Sequence, residues 1–179
     1  MLYDHPPAPI VQCVNCNDNE KATLKFLQKR GIRGVNALAT VMGNIKAESG
    51  FKTNICEGGA RVPYNRCMRG GFGLIQWTTE NRYFGLGRFC RKYNCNPNSL
   101  DGQLRYMVNE SQWKQLEPIL KKSGRSIEYY MDKSWYWLGW GIHGNRTRYA
   151  YNYASRFKTV VPVAEVSTIP PIVPPPAVL

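Results

Sequence analysis

No part of this chain is long and apolar enough to span a bilayer, because no run approaches the ~18 apolar residues such a helix needs. The first nineteen residues lack the basic start and apolar centre of a secretory leader. A protein that acts outside the cell without a leader is expected to travel in a virion or to follow a membrane pore. Blocks of five or more like charges are absent, as are nucleic-acid-binding motifs, which argues against nucleic acid as the partner. No internal repeat occurs, so solenoids and propellers drop out. Histidine is limited to His5 and His143, neither with a partner in sequence; both are expected to be solvated, and no metal or cofactor is expected.

Acidic residues are scarce as well. Twelve Asp and Glu stand against 24 Lys and Arg, a formal charge of +12. Such a balance suits a polyanionic surface, whether an anionic wall polymer, lipid headgroups or nucleic acid, and charge alone does not choose among them. At 179 residues and 43% hydrophobic content the chain can bury one sizeable core.

Six cysteines stand at 13, 16, 56, 67, 90 and 95. An even number fits three disulfides, buried thiols or a metal site. Cys13 and Cys16 have metal-like spacing, but zinc would need two further ligands from distant segments. Cys56 and Cys67 bracket one loop, which a bridge would brace, and Cys90 and Cys95 bracket a helix end.

Residues 1–16, with Pro6, Pro7 and Pro9, read as an extended arm. Asn17 followed by Glu20 is a capping box, and Gly31 ends the first helix. Val35, Leu38, Val41, Met42 and Ile45 recur at helical spacing, which predicts an amphipathic helix over 34–48. Residues 52–72 have no helical period and predict a β-hairpin or a long ordered loop, with the chain's strand content. Helices follow after Thr78 or Thr79, around Leu100–Val108, around Trp113–Leu120 with Pro118 weakening its continuity, over Ser126–Trp137, and over Asn145–Phe157. Past Lys158 there is no Lys or Arg, and half of the twelve prolines fall between Pro162 and Pro176, so 159–179 reads as a polyproline tether or docking strand. Residues 17–158 are the expected domain, and the fold class is mainly α.

The chemistry points to Glu48. It falls on the margin of the apolar stripe, at the helix end before Ser49-Gly50. Desolvation and the negative end of the helix dipole both raise a carboxyl pKa there, and a carboxylic acid kept protonated near neutral pH is a general acid. Position alone favours a solvated helix-end glutamate. A second stretch, Gly70-Gly71-Phe72-Gly73-Leu74-Ile75-Gln76-Trp77-Thr78, lies one cysteine-bounded loop later. Gln76 has donor and acceptor groups for a sugar, Gly73 lets backbone approach a ligand, and Phe72 and Trp77 are candidates to stack on a pyranose or to enter the core. Glu57 is the single acidic residue between Glu48 and Glu80, and so the candidate second carboxylate for glycoside cleavage, against a solvated charge beside Arg61 or Arg66. Trp135-Tyr136-Trp137-Leu138-Gly139-Trp140-Gly141 is the most aromatic segment, fit for a packed core around the last helix or for a sugar-lined cleft.

A helix ending in Glu-Ser-Gly-Phe with a later Gly-x-Gly-Leu-Ile-Gln-Trp-Thr resembles the phage tail lysozyme family. It is similar, more distantly, to goose-type lysozymes and soluble lytic transglycosylases. The resemblance runs from about Leu24 to Ala154. It implies a lysozyme-like α+β domain whose hairpin or long loop lines one wall of a cleft, with Glu48 as the acid that protonates a glycosidic oxygen. Gly73, Leu74 and Gln76 would line the sugar cleft; Ser49, a candidate to orient the acid or a sugar acetamide or else a plain helix-end polar residue, and Trp77 are candidates from their own chemistry. The implied activity is a virion-associated muramidase that cuts the β-1,4 bond of peptidoglycan during infection, its tail bound to other tail or baseplate proteins. A lytic transglycosylase, in which the substrate's own groups replace the second carboxylate, and a silent structural module of a phage tail are the alternatives. Where many of the resembled proteins carry a Tyr-Glu-Arg-Pro-like segment, this chain has aromatics, His143 and Arg148 without the Glu and Pro, so no role carries over.

Overall fold

The computed structural model describes residues 7–68, 70–162 and 170–177. Strand β1 (Ile10–Cys13) opens the fold, followed by helices α1 (Asp18–Lys29), α2 (Val35–Ser49) and the single-turn α3 (Tyr64–Cys67). Helices α4 (Glu80–Tyr93), α5 (Leu100–Asn109), α6 (Ser111–Leu120), α7 (Ile127–Leu138) and α8 (Arg146–Arg156) follow, and β2 (Phe157–Val160) closes it. Local chemistry starts most of these helices. Asn17 and Glu20 form the full capping box of α1, while Thr79, Ser99 and Ser126 cap α4, α5 and α7 through their hydroxyls. Gly50, at φ +59°, stops α2 by turning left-handed, with its N–H on the Lys46 carbonyl. Pro118 lies within α6, which stays continuous.

The centre of the molecule is α2. Every residue from Ala37 to Ile45 is buried, so the expected one-sided stripe is in fact a helix enclosed all round. Leu38, Val41, Met42 and Ile45 have no solvent exposure, each side chain contributing about 1.5–3 kcal/mol through burial. The closest neighbour of α2 is α8, and Gly43 is the reason. A Cβ at Gly43 would lie 2.6 Å from the Ala150 nitrogen and 2.7 Å from the Arg146 carbonyl oxygen. Only a glycine lets the two backbones meet there. Trp113 packs edge-on against Trp137 with ring centroids 5.0 Å apart, and both are buried.

The strand content differs from expectation. It lies at the two ends of the domain, where β1 and β2 pair antiparallel with Ile10 opposite Val160 and Cys13 opposite Phe157. This pair crosses both expected boundaries: β1 belongs to the 1–16 arm, with Val11, Cys13 and Cys16 buried, and β2 runs through 158 into the tail. Extended residues near either end had no periodic partner next to them, and pairing across the chain gave them one. Between 52 and 79 the described residues form α3, which lacks any periodic signal, and three isolated bridges: Ile55 with Arg61, Cys56 with Phe72, and Phe72 with Trp77. Repeated glycine, proline and asparagine break the segment too often for a ladder. The cysteines pair as Cys13–Cys16, Cys56–Cys67 and Cys90–Cys95, which sets aside the thiol and metal readings. In the tail, residues 170–177 are exposed and carry no regular structure; residues 163–169 and 178–179 lie outside the described residues.

Candidate active site

Glu48 sits in the last turn of α2, where the enclosed helix emerges, and its side chain keeps 18% exposure. Arg146, from the first turn of α8, reaches it across 98 positions of sequence: Nη2 donates to Glu48 Oε1 at 3.0 Å. The same guanidinium donates from Nη1 to Asn44 Oδ1 at 3.0 Å and from Nε to the His143 carbonyl at 2.8 Å. Its Cζ lies 4.5 Å from the centre of the Trp140 ring, a cation–π stack. Asn44 is one helical turn before Glu48, so both acceptors present one face to one arginine.

Two effects compete at the Glu48 carboxyl. Burial raises its pKa, while the charge of Arg146, its hydrogen bond and the charge of Arg82 lower it; burial wins, and the pKa lies above the ordinary 4.5. Both charges acting on Glu48 are therefore cationic. Arg82 is itself held by Glu110, through Nε to Oε2 at 2.8 Å and Nη2 to Oε1 at 2.9 Å. Glu110 Oε1 also accepts the Trp77 indole N–H at 2.8 Å. Buried and fully partnered, Glu110 is structural.

The Gly70–Thr78 segment closes on itself and is bound to the end of α2. Trp77 N–H donates to the Phe72 carbonyl at 3.0 Å, and Gly71 N–H to the Trp77 carbonyl at 2.7 Å. The Ser49 hydroxyl donates to the Leu74 carbonyl at 2.6 Å and accepts the Phe51 N–H at 3.2 Å. Ser49 thus ties the Glu48 turn to the loop, and its hydroxyl proton goes to the Leu74 carbonyl and not to a carboxylate. Leu74, Phe72 and Trp77 have no exposure, so the stacking expected of Phe72 or Trp77 on a sugar does not occur in this arrangement; both are core. Glycine at 73, with φ +77°, makes room for Gln103: a Cβ there would fall 2.7 Å from Gln103 Oε1, which accepts the Leu74 N–H at 2.8 Å. Gln76 is half-buried, and its amide nitrogen donates to the carbonyls of Gly73 at 2.9 Å and Ile55 at 3.2 Å. Its Oε1 is the amide atom left for a ligand. Glu57 is exposed and packs on Gly71, where a Cβ would meet its own Cβ at 2.6 Å.

The aromatic segment divides between its two readings. Trp137 is core, whereas Trp135 and Tyr136 are exposed and Trp140 lies over Arg146. Trp135 donates its indole N–H to the Trp140 carbonyl at 3.0 Å, which braces the turn after α7. His143 contacts the Thr147 hydroxyl at 2.7 Å and is exposed. Sequence reasoning passed over Arg146, Asn44 and Arg82. Asn44 at four residues before Glu48 was a readable signal; the arginines had none, because only packing brings them there.

A largely helical domain with a half-buried glutamic acid at the end of its central helix is consistent with a lysozyme-like fold, a class of glycosidases and lytic transglycosylases. Residues 18–157 match the phage tail lysozyme family, and the chain belongs to it. Its role is accordingly a peptidoglycan-acting one of the lysozyme type. Neither a curated protein nor a solved structure matches the chain.

Proposed function

We propose that the chain cleaves the β-1,4 bond between N-acetylmuramic acid and N-acetylglucosamine, is carried in the virion, and opens the host wall locally during infection. The observation that carries this reading is Glu48, a carboxylic acid whose pKa is raised by burial at the end of α2. Glu48 gives its proton to the glycosidic oxygen as the bond from that oxygen to the anomeric carbon breaks. The sugar passes through an oxocarbenium-like state. Arg146 holds the carboxyl in place and limits how far its pKa rises. Glu57 takes the proton of the attacking water, and the Gln76 carbonyl oxygen accepts from a sugar hydroxyl or amide. Main-chain groups of Gly73 and Leu74 form the floor behind it, supported by Ser49, Gln103 and Trp77. The tail from 159 onward attaches the domain to other tail or baseplate proteins.

Glu48→Gln keeps volume and shape and removes the transferable proton. Cleavage of purified peptidoglycan should fall by roughly 10²–10⁴-fold with folding intact. Near-normal cleavage by this variant would remove Glu48 from the mechanism, and an inactive wild type would leave a structural tail module. A second reading has its own support, since the charges acting on Glu48 are both arginines and no carboxylate is among them. A lytic transglycosylase needs no second carboxylate, because a hydroxyl of the muramic acid attacks instead. Mass spectrometry separates the two: hydrolysis leaves a reducing-end muramic acid, and intramolecular attack leaves an anhydro product lighter by one water. An unchanged rate in Glu57→Gln removes that residue from either scheme.

A further inference from the structure

A groove of about 740 Å³ lies between β1 and α1, away from Glu48. Lys21, Lys25 and Lys29 line it at intervals of four residues, about 6 Å apart along the helix. Arg33 extends the row, and Leu24 and Val11 supply apolar lining. Among the described residues, no acidic residue lines the groove and none of these four cations takes part in an ion pair. The row is therefore a line of uncompensated charge beside apolar surface, on elements that do not build the Glu48 site.

Three features of the groove select its occupant. Gln28 already satisfies the strand edge, accepting the Val11 N–H at 2.8 Å and donating to the Val11 carbonyl at 2.9 Å, so a peptide cannot pair at that residue. Among the described residues no aromatic side chain lines the groove, which removes the stacking platforms that hold single-stranded nucleic acid. Its volume is that of a small-ligand site, enough for a few units of a thin chain and too small for a duplex. What remains is a slender, flexible polyanion with charges at intervals comparable to the lysine row and short carbon links to lie on Leu24 and Val11.

We propose that this groove binds a polyol-phosphate chain attached to the bacterial wall, of the teichoic-acid type, and so holds the domain on its substrate surface. The phosphodiesters pair with Lys21, Lys25, Lys29 and Arg33, while the polyol carbons rest on the apolar lining. Binding is independent of Glu48 and involves no bond breaking, so its failure and that of the cleavage mechanism are distinguishable.

The test titrates the full-length chain with a synthetic glycerol-phosphate oligomer by calorimetry at low and physiological salt. Neutralising Lys21, Lys25 and Lys29 together to Gln should weaken binding about tenfold at low salt, three exposed charge contacts each adding a modest increment. A charge-matched control with Lys92, Lys114 and Lys122 changed to Gln should bind within about twofold of wild type and flatten the salt dependence less. In the unmodified protein, the oligomer should protect Lys21, Lys25 and Lys29 from acetylation and leave Lys114 reactive, a readout that needs no variant to fold. Equal losses in both triple variants, no protection of the groove lysines, or tighter binding to oligo-dT or to phosphatidylglycerol vesicles than to the polyol phosphate would each overturn the proposal.

Discussion

Replacing Arg146 with methionine keeps the aliphatic stem over Trp140 and deletes the guanidinium. Three acceptors lose their donor: Glu48 Oε1, Asn44 Oδ1 and the His143 carbonyl. Asn44 has no solvent exposure, so its oxygen stays unsatisfied, whereas the Glu48 side chain keeps 18% exposure and water takes over part of the lost contact. Breaking one partner of a buried pair costs about 3–5 kcal/mol, and partial hydration of Glu48 puts this case near 3 kcal/mol. For a domain of this size that is a fall in Tm of roughly 6–12 °C. The pH behaviour is the more diagnostic readout. Arg146 lowers the Glu48 pKa, so its loss raises a value already above 4.5. The alkaline limb of kcat, where the general acid loses its proton, should move to higher pH. The folded state then binds that proton more tightly than the unfolded chain does. Stability should therefore fall more steeply than in wild type as pH rises from about 4.5 through the raised folded value. Arg146→Lys restores a cation but not three directed donors, and should recover most of the pH profile while recovering only part of the Tm. Turbidity loss of wall suspensions across pH, with thermal melts at each pH, measures both. An alkaline limb that stays put, or moves to lower pH, refutes the assignment of Glu48 as the acid tuned by Arg146.

Gly43→Ala should force α2 and α8 apart at Ala150 and cost about 1–3 kcal/mol, seen as a lower denaturation midpoint, with lytic activity falling further as Arg146 moves off Glu48. Changing Cys56 and Cys67 together to Ser should cost about 3 kcal/mol, since the bridge closes a loop of about a dozen residues; a melt no lower than wild type would show that the loop is held without it. A chain ending at Pro162 should keep its Tm and lose its attachment to the particle. One ending at Lys158 should melt lower, because Thr159 and Val160 pair with Val11 and Ile10.

Much of this protein is decided within a few residues of sequence. The capping box at Asn17, the hydroxyl caps at Thr79, Ser99 and Ser126, and the left-handed stop at Gly50 depend on neighbours one turn away, so the chain specifies them without any tertiary contact. The position of Glu48 at a helix end is of this kind, as is the family resemblance carried by its motif and by the Gly73–Gln76 segment. Other features exist only after packing. The enclosure of α2 requires helices from the rest of the domain, so an apolar period could show one face but not that all faces are covered. The β1–β2 pair joins residues about 150 positions apart, beyond the reach of any hairpin signal. The supporting contacts of Gly73, Ser49 and Trp77 were hidden for the same reason, because their partners, Gln103, Leu74 and Glu110, lie 25 to 33 residues away. The tuning of Glu48 is the strongest case, because the desolvation that raises its pKa and the Arg146 charge that opposes it are both set by how α8 crosses α2 at Gly43.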